Sequence, residues 1–238
     1  MTVELPSQRV QHAMESFWFT RDEQTSRLDD GGAAGGAARA NGHMGEVARL
    51  VADLFLDAGI APADIRTGQP YLPGYYRVRK QWDLVVTHHG YLVAAVEFKS
   101  QVGSVGKNYN NRFEEALGSA TDALTAQRKF QPYGVVPPWL AYVFVLQESA
   151  ETEAPRRASA IFPPDPEFSG LSYNQRYQMM LTRFLGDHIY HACWFVTTRR
   201  NADTSVTFEE PLPIATGRSF AAAVEGRVNY VRTVAAQE

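Results

Sequence analysis

Apolar residues recur at two periods along this chain, and the switches between the periods outline its elements. From about residue 7 to 19, Val10, Ala13, Met14, Phe17 and Trp18 fall on one face at helical spacing. Val47, Leu50, Val51, Leu54 and Phe55 repeat that spacing, and Gly59 supplies a stop. The pattern then changes. Two apolar strands are expected at about 82–87 and 91–99, joined by a turn at His88, His89 and Gly90. A loop bracketed by Gly103 and Gly106 leads to a helix at about 112–130, buried through Phe113, Ala116, Leu117, Ala120 and Leu124. Asn111 and Glu114 have the spacing of an N-cap and its capping-box partner. Pro137 and Pro138 precede a continuous apolar run at 139–146, which reads as a buried strand. A Pro-rich, charged surface loop at 150–170, a helix at about 173–185, a strand at 192–198 and a helix at about 220–234 complete the pass. Helices and strands are mixed, with most strands in the middle. This predicts an α/β fold: a single domain over residues 1–238, with a central mixed β-sheet and helices on both faces.

The stretch at about 29–42 breaks every period. It carries Gly31, Gly32, Gly35 and Gly36 among alanines and is expected to be a flexible loop. It is not a phosphate-binding loop, since no Gly-Lys-Ser/Thr follows and no strand precedes it. The 238 residues suffice for a sizeable core, and 45% hydrophobic with 21% charged residues is ordinary for a globular protein. The single cysteine, Cys193, excludes an internal disulfide and a Cys-rich metal site, and fits a reducing cytoplasm. No signal peptide and no membrane span are expected. A net charge of −3 argues against an indiscriminate nucleic-acid coat protein. It permits an enzyme that gathers positive charge on one face. Basic residues do gather locally, at Arg77, Arg79 and Lys80, at Lys107 and Arg112, and at Arg199 and Arg200.

Candidate chemistry sits on the two central strands. Side chains alternate along a strand, so Glu97 and Lys99 face one side while Val96 and Phe98 enter the core on the other. A tight turn at His88–Gly90 puts Asp83 opposite roughly residue 94 or 95; a longer turn or a bulge moves it towards Glu97. Two carboxylates give a hard oxygen site suited to Mg²⁺, to which the backbone carbonyl of Phe98 adds a further ligand. A metal there polarises a phosphate oxygen and lowers the pKa of an attacking water. Lys99 would orient or deprotonate that water, or stabilise developing charge. The same three residues would also make a surface salt bridge. Their place at the ends of buried strands, where an unpaired charge is costly, favours the metal site. Glu46 is a weaker acid candidate, or a first-turn partner of its helix dipole. Gln101 would contact phosphate or water, or be solvated. His188 and His191 have helical spacing but no evident third ligand, which discounts a metal there.

Three blocks are more specific than this short pattern: PGYYRVRKQWDLVV at 73–86, AVEFKSQVG at 95–103 and NYNNRFEEALGSA at 108–120. Together they resemble the XhoI-type restriction endonucleases of the PD-(D/E)xK nuclease superfamily. Segments at 138–142 and 172–177 are similar too. The resemblance implies a restriction-endonuclease-like fold and a Mg²⁺-dependent type II endonuclease acting on double-stranded DNA, typically at CTCGAG with a four-base 5′ overhang. By position it assigns the metal-binding acids to Asp83 and Glu97 and the catalytic lysine to Lys99. The superfamily's proline before the aspartate is replaced by Trp82. A palindromic target implies a homodimer, and a restriction enzyme implies a cognate DNA methyltransferase. Lys107, Asn108, Asn110, Asn111 and Arg112 are of the types that read bases or hold phosphates, and Arg77, Arg79 and Lys80 would track the backbone. Two other readings share the superfamily: a repair or recombination nuclease with little sequence preference, and a non-catalytic DNA-binding protein of the same fold.

Overall fold

Continuous apolar runs make β6 (Leu140–Gln147) and β7 (Ala192–Arg200) strands buried on both faces, and they lie inside the sheet. The computed structural model describes residues 3–29, 42–157 and 160–237. Its six-stranded sheet has the order β1 (Ile65–Arg66), β4 (Leu84–His88), β5 (Tyr91–Gln101), β6, β7, β8 (Val206–Glu209). β5, β6 and β7 are parallel, while β1 against β4, β4 against β5 and β7 against β8 are antiparallel. A short ribbon pairs β2 (Tyr71–Pro73) with β3 (Arg79–Gln81).

Helices cover both faces. On one side α1 (Ser7–Asp29), α2 (Gly45–Asp57) and α6 (Gly217–Ala235) pack Phe17, Phe55 and Phe220 against Val86, Val143 and Trp194. On the other, α3 (Val105–Phe130) and α5 (Tyr173–Gly186) pack Ala120, Tyr177 and Phe184 against Tyr142, Phe144 and Phe195. Burying each such aromatic contributes roughly 1.5–3 kcal/mol. This is the mixed sheet between two helical layers that the alternating pattern predicts. A short helix, α4 (Ala150–Glu153), lies in the region expected to be all loop.

Several boundaries differ from the periodic reading. α1 continues to Asp29 beyond its apolar stretch. The Gly/Ala-rich segment lies almost wholly outside the described residues. α3 begins at Val105, so Gly106 is helical and Asn111 sits inside the helix rather than capping it. The turn before it is carried by Gly103 and Ser104 in left-handed conformations, a backbone signal that capping rules do not read. Phe113 is 38% exposed and stacks on Phe184 instead of entering the core.

One irregularity positions the site. His89 and Gly90 both have positive φ, 47° and 83°, which makes the tight two-residue hairpin turn between His88 and Tyr91. A bulge then shifts the register between Val86 and Thr87. Thr87 pairs with Leu92, but Val86 pairs with Ala94, so Val93 is the extra residue. Beyond it Leu84 faces Val96, which sets Asp83 opposite Glu97. The expectation for a tight turn, partner residue 94 or 95, therefore gives way to the bulged alternative. The bulge also rephases the faces. Val93 and Ala94 both pack under α1, α2 and α6, and Ala95 packs under α3. Val96 and Phe98 consequently enter the first core, and Glu97 and Lys99 emerge on the α3 side.

Candidate active site

Asp83 ends the loop before β4, where the chain has just left the β2–β3 ribbon. Its Oδ2 accepts from the Phe98 N–H at 2.8 Å, which ties the acid to the edge of β5. A strand residue's N–H and C=O point to the same edge, so the Phe98 carbonyl is directed to the Asp83 side as well. Burial, and then the nearby Glu97 carboxylate, push the Asp83 pKa up; the Phe98 N–H, Lys99 and Lys80 only partly offset this.

Glu97 lies between two ammonium groups. Lys99 Nζ is 2.8 Å from Oε1 and Lys80 Nζ is 2.5 Å from Oε2, and the Glu97 side chain is only 8% exposed. Lys80 also donates to the Gln81 carbonyl and sits 4.4 Å above the Trp82 ring. Lys80, placed among the backbone-tracking residues by sequence, is thus turned inward beside the acid. The buried Trp82 that stands where the superfamily has proline forms the apolar floor beneath it. Burial alone lowers the Lys99 pKa. The Glu97 carboxylate and Asp83 more than reverse this, and the ammonium titrates above its ordinary range. Lys99 therefore holds its proton at neutral pH and is a donor in this arrangement.

These groups form one wall of a cleft of about 420 Å³, lined by Arg77, Arg79, Lys80, Glu97 and Lys99 on one side and by Glu114, Glu115 and Ser119 of α3 on the other. The loop over its mouth is held by a residue that sequence patterns gave no reason to select. Asp122, buried on α3, accepts from the N–H groups of Tyr75 and Tyr76 at 2.8 and 2.7 Å and from Arg77 Nε at 2.7 Å. Burial raises the Asp122 pKa, but these bonds outweigh it and hold the carboxyl below its usual range. Gly74 is required there, because a β-carbon would collide with the Asp122 carboxylate. Arg79 stacks on Tyr71 at 4.2 Å.

The remaining candidates separate by place. Arg112 and Asn108 face a second cleft beside the first, and Lys107, Asn110 and Asn111 are exposed on the outer side of α3. Gln101 is buried and donates to the Gly103 carbonyl at 2.5 Å, leaving its Oε1 without a partner. Glu46 pairs with Arg49 in the first turn of α2 and lines neither cleft. His191 accepts the Leu140 N–H through Nδ1, a structural role.

Among the described residues, no group of three or more His, Cys, Asp or Glu side chains is gathered as a metal cage. The donor set at Asp83, Glu97 and the Phe98 carbonyl nevertheless fits magnesium, which binds through one or two carboxylates and keeps its remaining positions for water and phosphate. Burial first and the Glu97 charge second raise Asp83, and a dication would offset both.

Comparison with known proteins bears on this site. The chain matches the family of restriction endonuclease XhoI over residues 21–210. The type II restriction enzyme BstVI of Geobacillus stearothermophilus is 33% identical over 198 residues, covering 80% of this chain and 88% of that protein. The type II restriction enzyme XhoI of Xanthomonas vasicola is 35% identical over 177 residues, 71% of each chain. The type II restriction enzyme AbrI of Azospirillum brasilense is 34% identical over 155 residues, 62% of this chain and 69% of its own. No solved structure matches the chain.

Proposed function

Because this chain belongs to the XhoI family of restriction endonucleases, we propose that its cleft over Glu97 hydrolyses a DNA phosphodiester, with Asp83, Glu97 and Lys99 as catalytic residues and Mg²⁺ as the metal. The family consists of type II enzymes, site-specific deoxyribonucleases whose substrate is DNA and which generally use divalent metal ions. The observation that carries the residue assignment is the bulged register, which sets Asp83 opposite Glu97 with Lys99 on the Glu97 carboxylate.

Asp83, Glu97 and the Phe98 carbonyl would hold the metal. When bound it polarises the phosphate and makes a water more acidic. The chain's own residues do the rest. Lys99, protonated and fixed by Glu97, donates to a phosphate oxygen as negative charge develops there. Lys80 brings a second ammonium to the same carboxylate. Arg77 and Arg79 sit at the cleft mouth, where they meet the DNA backbone. Gln101, Lys107, Asn108, Asn110, Asn111 and Arg112 are the proposed remaining DNA contacts. The two superfamily alternatives, a low-specificity repair nuclease and a non-catalytic binder, lack support in the relatives' names. The target is proposed as CTCGAG, cut to leave 5′ overhangs by a homodimer that works beside a cognate methyltransferase in the cytoplasm. The chain is taken as one nuclease domain. No helix among the described residues is long and apolar enough to cross a membrane.

The test is a digest of plasmid DNA of known sequence with Mg²⁺, with fragment ends sequenced and an EDTA control. Discrete cuts at CTCGAG, absent with EDTA and with Glu97→Ala, are expected. Cutting that survives Glu97→Ala sinks the residue assignment, and cuts at another palindrome sink the proposed target.

A further inference from the structure

Large apolar side chains stand in water at the mouth of the cleft over Glu97. Between β2 and β3 the chain runs Tyr75, Tyr76, Arg77, Val78, and of these Tyr76 is 71% and Val78 91% exposed. Tyr75 is exposed as well and meets Tyr76 edge to face, with ring centres 5.0 Å apart. A single exposed apolar residue carries no meaning. Here three fall within four consecutive residues, followed directly by Arg79. Arg77 and Arg79 line the same cleft as Glu97 and Lys99, so the patch lies where the substrate must enter.

The loop is fixed before anything binds. Asp122 takes the N–H groups of Tyr75 and Tyr76 and the Nε of Arg77. The Tyr133 hydroxyl donates to the Pro73 carbonyl, and Arg79 stacks on Tyr71 across the ribbon. Apolar side chains on a slack loop would fold back onto the protein. These are held out by bonds to their own backbone, so a contact they make costs little further ordering. Two occupants could cover them, a second copy of the chain or the bases of a duplex. Three side chains are far short of the about 20–30 residues a side that a stable protein interface uses. Arginines between and beside the apolar groups call for an anion, and Arg79 has no carboxylate partner among the described residues. A DNA groove supplies both needs, phosphates for the guanidiniums and apolar base faces for Tyr76 and Val78.

We propose that the 75–78 loop is a DNA wedge: Tyr76 and Val78 enter the groove beside the cut and open one base step there, with Arg77 and Arg79 on the flanking phosphates. The proposal rests on the nuclease reading above and adds to it how the duplex is deformed and seated. The cost of unstacking one step is offset by burial of two side chains that water now surrounds. Tyr76 and Val78 hold the duplex in register over Glu97 and do not touch the reacting phosphate.

The experiment reads base stacking directly. Duplexes carrying the cleaved site are prepared with a single 2-aminopurine, a base whose emission rises when it is unstacked, at each position flanking the cut in turn. Emission is read on binding with Ca²⁺ in place of Mg²⁺, and kcat/KM is measured on the unmodified duplex with Mg²⁺. Both are compared for wild type, Tyr76→Ser, Val78→Ser and Val78→Leu. Wild type should raise the emission at one step beside the cut. The two Ser variants should lose that rise and about tenfold in kcat/KM, with the melting temperature of the free protein and the affinity for unrelated DNA unchanged. Val78→Leu keeps an apolar tip and should keep both readouts. A wild type that cuts but raises no emission at any position overturns the wedge alone. So do Ser variants that cut like wild type, a loss that comes with a lowered melting temperature, and a Val78→Leu as impaired as Val78→Ser. Ser variants that sediment as monomers where DNA-free wild type is a dimer give the patch to a second copy and overturn it too. A wild type that cuts no duplex overturns the nuclease reading and this proposal with it.

Discussion

At the scale of single residues, the centre is a small charge network whose members restrain one another. Glu97 holds Lys80 and Lys99, and Asp83 is destabilised in its ionised form by burial and by Glu97. Glu97→Gln should lower cleavage by about 100-fold or more, measured on a single-site plasmid. Asp83 makes a prediction of the opposite sign for stability. Its folded pKa is raised, so whatever the protonated group lends to folding is present below the ordinary carboxylate range and is lost as pH rises through the folded value. Asp83→Asn should therefore match wild type in thermal stability near pH 4 and exceed it at pH 7 in EDTA. A lower melting temperature for the variant at pH 7 would contradict this. Mg²⁺ should raise the melting temperature of wild type more than that of the variant. Asp83, Glu97 and Lys99 were legible in the sequence because an acid facing Glu-x-Lys across two apolar strands leaves a charge pattern. His43 and Asp122 were not. Each is a lone polar residue whose partners are far along the chain or contributed by backbone.

At the scale of elements, two devices place that network. The first is the β5 bulge. Arg227 of α6, buried, donates to the carbonyls of Leu92, Val93 and Pro137 at 2.9, 2.8 and 2.8 Å, so it grips the extra residue that sets the register. Burial lowers its pKa to about 10, which still leaves it charged at neutral pH. Arg227→Met strands three carbonyls and should cost about 3 kcal/mol or more in denaturant unfolding. A loss under 1 kcal/mol would mean that the bulge holds without it. The second device is the Asp122 clamp on the loop that carries Tyr75, Tyr76 and Arg77. Its folded pKa is lowered, so its contribution is present above the ordinary carboxylate pKa and lost as pH falls through the folded value. Asp122→Asn should cost about 1.5–3 kcal/mol at pH 7, and the gap should close in acid. A pH-independent gap would assign the effect to packing. Neither device follows from periodicity, because bulges and loop clamps are made by contacts between segments rather than by local pattern.

At the scale of the whole molecule, a net charge of −3 coexists with two cation-lined clefts that meet at Lys99. Binding to DNA should therefore be local and salt-dependent, with affinity falling by about tenfold between 50 and 200 mM salt for every two phosphates neutralised. A palindromic target further predicts a species of twice the 26.5 kDa chain mass in sedimentation on cognate duplex. A single copy per duplex would refute it. What the sequence determined by itself is the periodic part of the protein: the α/β alternation, the buried central strands, the helices that cover them, and the acids and lysine at the strand ends. Those features are written in neighbouring residues, since burial of one face demands a fixed spacing. The tertiary structure alone decided the register that sets Asp83 against Glu97, the inward turn of Lys80 and the clamp at Asp122. The reason is physical. A buried polar group must find partners wherever the packed chain supplies them, as Asp122 does in the N–H groups of Tyr75 and Tyr76 and Arg227 of α6 does in the carbonyls of Leu92, Val93 and Pro137.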